Sequence, residues 1–370
     1  MKTQEYTIAF FGSSLVSAYW NGAATYYRGI IKALHNLGHQ ITFFEPDAFD
    51  RQQHRDIPDP DWAKVVVYQP KEEDAKAMLS RAKDFDIVVK ANGIGILDTF
   101  LATEILKNRQ DGQRIIYWDV DAPATLSSMR NEIDNTLRDL IPEYDLVLTY
   151  GGGQPVIDAY EAFGAQRCVP VYNALDPDTH HPVPPKEEFR CDLGFLGNRL
   201  PDREKRVENF FLKPANSLPE MKFLLGGNGW EDKAKSENVN YIGHVYTKDH
   251  NAFNTSSKAV LNISRDSMAE MGFSPATRVF EAAGAGACLI TDYWEGIEMF
   301  VEPDKEVLVA RNGNEVTEIL SNLSKEKAKA IGEAALKRML AEHTYDQRAV
   351  KLTKVLQESF NTSNVVIHAE

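Results

Sequence analysis

Four times in the first half of the chain a short apolar run ends in a loop rich in glycine, asparagine or aspartate, and this rhythm restricts the fold more than any other feature. Residues 6–11 run into Gly12-Ser13-Ser14, and 86–90 lead to Asn92-Gly93-Ile94-Gly95. Residues 114–118 reach Asp119-Val120-Asp121-Ala122-Pro123, and 145–149 lead to Gly151-Gly152-Gly153. Apolar runs of this length between such breakers read as buried strands. Helices are expected at 25–37, closed by Gly38, and at 156–163, with further strands at 40–45 and 167–171. Strand alternating with helix predicts a parallel sheet in which the loops at the strand carboxyl ends line one crevice.

The pattern stops at 173–188, NALDPDTHHPVPPKEE, where four prolines and several charges give a linker composition. It then begins again. A strand at 191–196 is followed by Gly197-Asn198-Arg199 and a helix at 202–211, and further strands are expected at 221–225, 239–242 and 259–263. A chain of 370 residues exceeds one hydrophobic core. The expected division is 1–175 for a first α/β domain, 189–340 for a second, and 341–370 for a closing segment that follows from the helical stretch 325–360.

A net charge of −13 argues against nucleic acid or an anionic membrane as partner, because phosphate-rich surfaces are held by clustered Lys and Arg. Cys168, Cys191 and Cys288 are odd in number and widely spaced, which reads as reduced core residues with no zinc spacing. Glu5 and the polar Gly12-Ser13-Ser14 interrupt any secretory signal, and no apolar run approaches the ~18 residues of a membrane span. A cytoplasmic protein is expected.

Glu281 lies on a short small-residue helix, 276–285, between the Ser274-Pro275 turn and a buried strand at 287–291. A carboxylate there is placed to accept two hydrogen bonds from a ribose diol, while Arg278, three residues earlier, either pairs with it or meets a ligand. In the first half, Gly12, Ser13, Asn21 and Gly22 form a glycine-bearing loop before a helix, suited to a phosphate or a sugar hydroxyl, and Gly152 belongs to a similar loop. Asp121 suits either of two tasks, orienting or deprotonating an acceptor hydroxyl, or capping the helix that follows.

The order Ser274, Arg278, Phe280-Glu281-Ala282, Gly286-Ala287, Leu289-Ile290-Thr291-Asp292 and Gly296-Ile297-Glu298 resembles the C-terminal half of GT-B glycosyltransferases, most closely the group related to the spore maturation protein CgeB. The resemblance implies an α/β GT-B fold, two Rossmann-like domains facing across a cleft. It implies a nucleotide-sugar donor bound by Glu281, Arg278, Ser274, Gly197, Asn198 and His244, and an unidentified acceptor bound by Gly12, Ser13, Asn21, Gly22 and Gly152. Arg199 and Arg203 would neutralise the departing diphosphate, with Asp121 as the acceptor-side catalytic group. No metal or other cofactor is expected, and the reaction would be retaining. Many retaining GT-B enzymes carry a second glutamate eight residues before the first, where this chain has Phe273. Asp119-Val120-Asp121 also matches the Asp-X-Asp by which GT-A enzymes hold a metal-bound donor, but the second strand and helix series favours GT-B. His343-Thr344-Tyr345 with Arg348 resembles the final helices that cross back to the first domain. An epimerase or hydrolase on the same fold would consume donor without an acceptor. A silent nucleotide-sugar-binding module would bind without turnover.

Overall fold

The computed structural model describes residues 4–361, so the expectation for 362–370 lies outside the described residues. The chain forms two units, one made of residues up to Tyr172 together with those from Tyr345 onward, the other of Asn173–Thr344.

The first unit holds β1 (Thr7–Phe11), β2 (Gln40–Pro46), β3 (Lys64–Tyr68), β4 (Ile87–Ala91), β5 (Arg114–Asp119), β6 (Leu146–Thr149) and β7 (Cys168–Pro170). They make one parallel sheet in the order β3-β2-β1-β4-β5-β6-β7. Register follows aromatic and β-branched pairs: Phe10 stacks on Phe43 at 5.1 Å and Phe11 on Phe44 at 4.8 Å between ring centroids. The four strands whose loops stood out in the sequence, β1, β4, β5 and β6, are consecutive in the sheet, so their loops share one edge. Strand order reverses between β1 and β4, which opens a crevice at their carboxyl ends. The edge strand β3 carries no comparable loop signal.

The expected helical stretch 325–360 forms two helices, Lys325–Glu342 and Tyr345–Asn361, separated at His343-Thr344. His343 O accepts from Leu175 N at 2.8 Å there, and Leu175 bridges Thr344 in parallel fashion. Helix Tyr345–Asn361 packs on Ala24–Asn36 in the first unit. Arg348 is largely buried and its guanidinium pKa is lowered by that burial.

The second unit holds β8 (Cys191–Leu196), β9 (Phe223–Gly226), β10 (Val239–Gly243), β11 (Ser257–Asn262), β12 (Leu289–Asp292) and β13 (Leu308–Ala310). These form a second parallel sheet, β10-β9-β8-β11-β12-β13, with the order reversing between β8 and β11. Its core gathers Leu193, Phe195, Phe211, Trp230, Leu261 and Ile290. The expected helix 202–211 is corrected to a short α turn, Glu204–Val207, a π turn, Glu208–Leu212, and a last α turn, Lys213–Ser217. Pro214 accounts for the π turn, since its ring lacks an N–H and would strike the carbonyl four residues back in a regular helix.

The proline-rich stretch 173–188 is built into the second unit rather than hanging between units. Leu175 and His180 are buried, Asn173 Nδ2 donates to Pro275 O at 3.3 Å, and Asn251 Nδ2 donates to Thr179 O at 2.9 Å. Among the described residues no helix is long and apolar enough to cross a membrane.

Candidate functional site

At the β8/β11 reversal of the second unit the chain leaves β8 through Gly197-Asn198, and this loop is held tightly. Gly197 N donates to Gly226 O at 3.0 Å, and Asn198 Oδ1 accepts from Asn228 N at 2.9 Å. Gly197 O accepts from Trp230 Nε1 at 2.8 Å. Gly227 sits at φ +112, and a Cβ there would come within 2.3 Å of Gly197 O, so only glycine allows the two loops to meet.

Two guanidinium groups converge on this loop. Arg203 Nη2 donates to Asn198 O at 2.6 Å while its plane lies 5.7 Å over the Phe195 ring, and Arg278 Nη2 reaches Leu196 O at 3.4 Å. Arg203 Nε is buried without a hydrogen-bond partner among the described residues. Burial lowers the Arg203 pKa to about 10, and the neighbouring charges of Arg278 and Arg265 act in the same direction against Asp202. The Arg278 charge acts on Arg203 here, and two guanidinium groups bonded to one loop suit an anion. Arg199 is different: its guanidinium is taken by Glu204 at 2.7 Å and Asp232 at 2.8 Å. Burial does not isolate Arg199, and its donors are directed at these carboxylates and at Gly229 O.

Glu281 lies on the helix Thr277–Gly284, three residues after Arg278, and its Oε2 is 3.6 Å from Arg278 Nη1. Burial raises its pKa, but the charges of His180, Arg278 and His250 more than offset this, so the carboxyl is held below its ordinary value. His180, 3% exposed, places Nε2 4.0 Å from Glu281 Oε1, and His250 from the helix Thr247–Ser256 lies beside it. Burial pushes the His250 pKa down to about 4, with Arg278 adding to the shift. Ser274 is buried in the turn before the Glu281 helix. His244 is exposed at the end of β10, edge-on to Tyr246 at 4.7 Å between centroids.

In the first unit the loop after β1 is turned inward. Ser13 Oγ donates to Asn21 Oδ1 at 2.9 Å, and Asn21 Nδ2 donates to the carbonyls of Ser14 and Ser17. Gly12 faces Phe43, which a Cβ would meet at 2.5 Å. Gly22 is exposed, and Gly152 sits at φ +94 at the N-terminus of the helix Gly153–Ala162. Arg51 Nη1 reaches both Ser13 O and Ile94 O, linking the loops after β1 and β4.

Asp119 and Asp121 do not share a task. Asp119 is fully buried, and its oxygens accept from Tyr160 Oη at 2.5 Å, Asp121 N at 2.8 Å and Thr125 Oγ1 at 3.1 Å, and from Asn92 Nδ2. Burial raises its pKa to about 6. Asp121 is the residue before the helix Ala122–Arg130, and its carbonyl accepts from Thr125 N at 3.0 Å.

Sequence reasoning passed over a cavity of about 290 Å³ beside these residues, lined by Lys90, Asn92, Asp98, Tyr117, Thr125 and Asp134. Lys90 is buried and paired with Asp98 at 2.5 Å. A lysine in the apolar strand Ile87-Val88-Val89-Lys90-Ala91 was the available signal. His180 and His250 were also passed over, His180 within the proline-rich stretch 173–188 and His250 in a segment without a motif.

Residues 203–354 match the family described as glycosyl transferase-like. No curated protein matches the sequence. Among solved structures, sucrose-phosphate synthase from Thermosynechococcus elongatus aligns with a TM-score of 0.73 at 11% identity, over 96% of this chain and 99% of that one. HepE of Anabaena in complex with UDP-glucose aligns with a TM-score of 0.66 at 14% identity, over 95% and 100% of the two chains. An α-glucosyltransferase in complex with UDP and a 13-mer DNA gives a TM-score of 0.66 at 12% identity, over 97% and 100%. At these identities the likeness is one of fold. The chain has the GT-B fold of two parallel-sheet Rossmann-like domains, and its residues 203–354 carry the glycosyl transferase-like family match.

Proposed function

We propose that the protein is a glycosyltransferase that moves a sugar from a nucleotide-sugar donor, bound by the second unit, to an acceptor bound by the first. The observation that carries this reading is the pair Arg203 and Arg278 on the Leu196–Asn198 loop, with the ionised Glu281 at the far side of Arg278. A carboxylate accepts from a ribose diol, and two cations 'upstream' of it suit the diphosphate that joins ribose to sugar.

In this reading Arg203 neutralises charge that grows on the diphosphate as the glycosidic bond breaks, and Arg278 assists while holding Glu281 in place. Arg199 serves the loop indirectly, by tying Glu204 and Asp232 together. Gly197, Asn198 and Ser274 shape the donor pocket, and His244 lies toward the base. Asp121 and the loop residues Gly12, Ser13, Asn21, Gly22 and Gly152 remain our acceptor-side candidates, with Ser13 and Asn21 acting through loop shape because their side chains bond each other.

Guanidinium groups supply the charge that a metal supplies in other transferases, so we take the reaction to be metal-independent. Retention of anomeric configuration, membership of the CgeB-like group and a cytoplasmic location complete the proposal, and each rests on the sequence alone. Incubation of the protein with UDP-, GDP- and dTDP-sugars and a panel of acceptors tests it. Release of nucleoside diphosphate that requires an acceptor supports transfer. Release without acceptor would assign a hydrolase or epimerase, and tight binding with no release would assign a binding module.

A further inference from the structure

Beneath the Glu281 helix, two histidines from distant segments meet the same carboxylate. His180 comes from the proline-rich stretch and His250 from the helix Thr247–Ser256, and one ligand atom from each of His180, His250 and Glu281 lies within 4.8 Å of the others. Among the described residues, the buried Nε2 of His180 and Nδ1 of His250 have no hydrogen-bond partner. Burying such a group unpaired is costly, so a pair of them facing one carboxylate calls for a shared partner.

The tautomer of His250 is set. Its Nε2 lies 3.2 Å from Val245 O, and a carbonyl only accepts, so Nε2 carries the proton and Nδ1 presents a lone pair. An imidazole whose far nitrogen donates to a backbone carbonyl is the usual arrangement of a metal-binding histidine. On the other side, Glu281 directs Oε1 to His180 at 4.0 Å and Oε2 to Arg278 at 3.6 Å, so one oxygen is held by the guanidinium and the other faces the histidines.

We infer that His180 Nε2, His250 Nδ1 and Glu281 Oε1 form a binding site for a single borderline dication of the Zn²⁺ or Co²⁺ type. Two imidazoles and one carboxylate match the preference of such ions, while Mg²⁺ and Ca²⁺ prefer sets made of oxygen alone. In a tetrahedral site with bonds of about 2 Å the ligand atoms stand roughly 3.3 Å apart, so small side-chain rotations close the set around the ion. Three protein ligands leave a fourth position for water.

The site goes beyond the proposed transfer reaction and does not need it, although it shares Glu281 with the donor. An ion on Oε1, with Arg278 on Oε2, takes up lone pairs and negative charge that a ribose diol would use. Zn²⁺ and the nucleotide then compete, and the ion acts as an inhibitor of donor binding rather than as a catalyst.

The test uses the full chain, stripped with chelator and titrated with Zn²⁺ alone by calorimetry and with Co²⁺ alone by visible absorption. One ion per chain is expected, with the d–d bands of four-coordinate Co²⁺ and no thiolate charge-transfer band. His180→Ala and His250→Ala should each weaken Zn²⁺ binding by at least about tenfold. Absence of uptake by the wild-type chain overturns the site, as does a thiolate band or an affinity unchanged in both folded variants. If the alanine variants do not fold, His180→Gln and His250→Gln replace them, and the wild-type Co²⁺ spectrum alone still decides. Because no nucleotide is present, failure here leaves the donor reading standing. UDP titration of the chelator-treated protein tests that reading separately.

Discussion

Arg203 Nη2 donates to the carbonyl of Asn198 at 2.6 Å, which fixes the guanidinium against the loop that ends β8 while leaving its Nε without a hydrogen-bond partner among the described residues. Arg199, four residues earlier, is by contrast held between Glu204 and Asp232. The two arginines are close in sequence and opposite in circumstance. Arg203→Ala should therefore lower kcat at saturating donor by about 10- to 100-fold, with a smaller change in donor Kd, because the charge it meets grows in the transition state. Arg199→Ala should act mainly through loop stability. Steady-state kinetics with calorimetric Kd values check both, and a wild-type kcat in Arg203→Ala would remove the β8 loop as the leaving-group site.

Much of the fold was legible because the strands are apolar and end abruptly. The runs before Gly12, Asn92, Asp119 and Gly151 were bounded by breakers, and the sheet places those four strands side by side. Strand β3, at the sheet edge, has no glycine-rich loop to announce it. The break at His343-Thr344 is set by a bond to Leu175, a contact across 168 residues that no local pattern contains. In the candidate site, Arg278 and Glu281 were visible as neighbours since three residues apart on a helix share a face. The pairing of Arg199 with Asp232 and the meeting of His180 with His250 depend on loops brought together by the sheet, which spacing along the chain does not express.

Asp119 gives a pH signature. Burial raises its pKa from 3.8 to about 6, so the native state binds its proton more tightly than the unfolded chain does. A carboxyl shifted upward contributes less to stability as pH rises through the window between those values. The stability of the wild type relative to Asp119→Asn should fall by about 2 to 3 kcal/mol between pH 4 and pH 7. Urea unfolding of both proteins across that range measures it. A difference independent of pH would mean that Asp119 titrates normally.

Gly227→Ala should destabilise the second unit, since the added Cβ would lie within 2.3 Å of Gly197 O at a φ of +112. Strain of this kind costs on the order of 1–3 kcal/mol. Thermal unfolding gives the magnitude, and a Tm equal to wild type would show that the two loops separate freely.

Transfer should persist in EDTA, because Arg203 and Arg278 are the proposed partners of the diphosphate. Added Zn²⁺ should inhibit and chelator should restore the rate, which follows from a shared Glu281. Loss of activity in EDTA, recovered with Mn²⁺ or Mg²⁺, would place a metal in the reaction instead.

Calorimetric titration of UDP into chelator-treated wild type and Glu281→Ala is the most direct measure of whether the second unit is a nucleotide-sugar site. Wild type should bind one UDP per chain, and Glu281→Ala, still folded by its thermal transition, should lose roughly 1.5 to 3 kcal/mol of binding free energy, the ordinary worth of hydrogen bonds to a charged group. Equal UDP affinity in the two proteins would contradict the ribose role of Glu281, and the absence of nucleotide binding by wild type, with UDP and then with GDP and dTDP, would contradict the account as a whole.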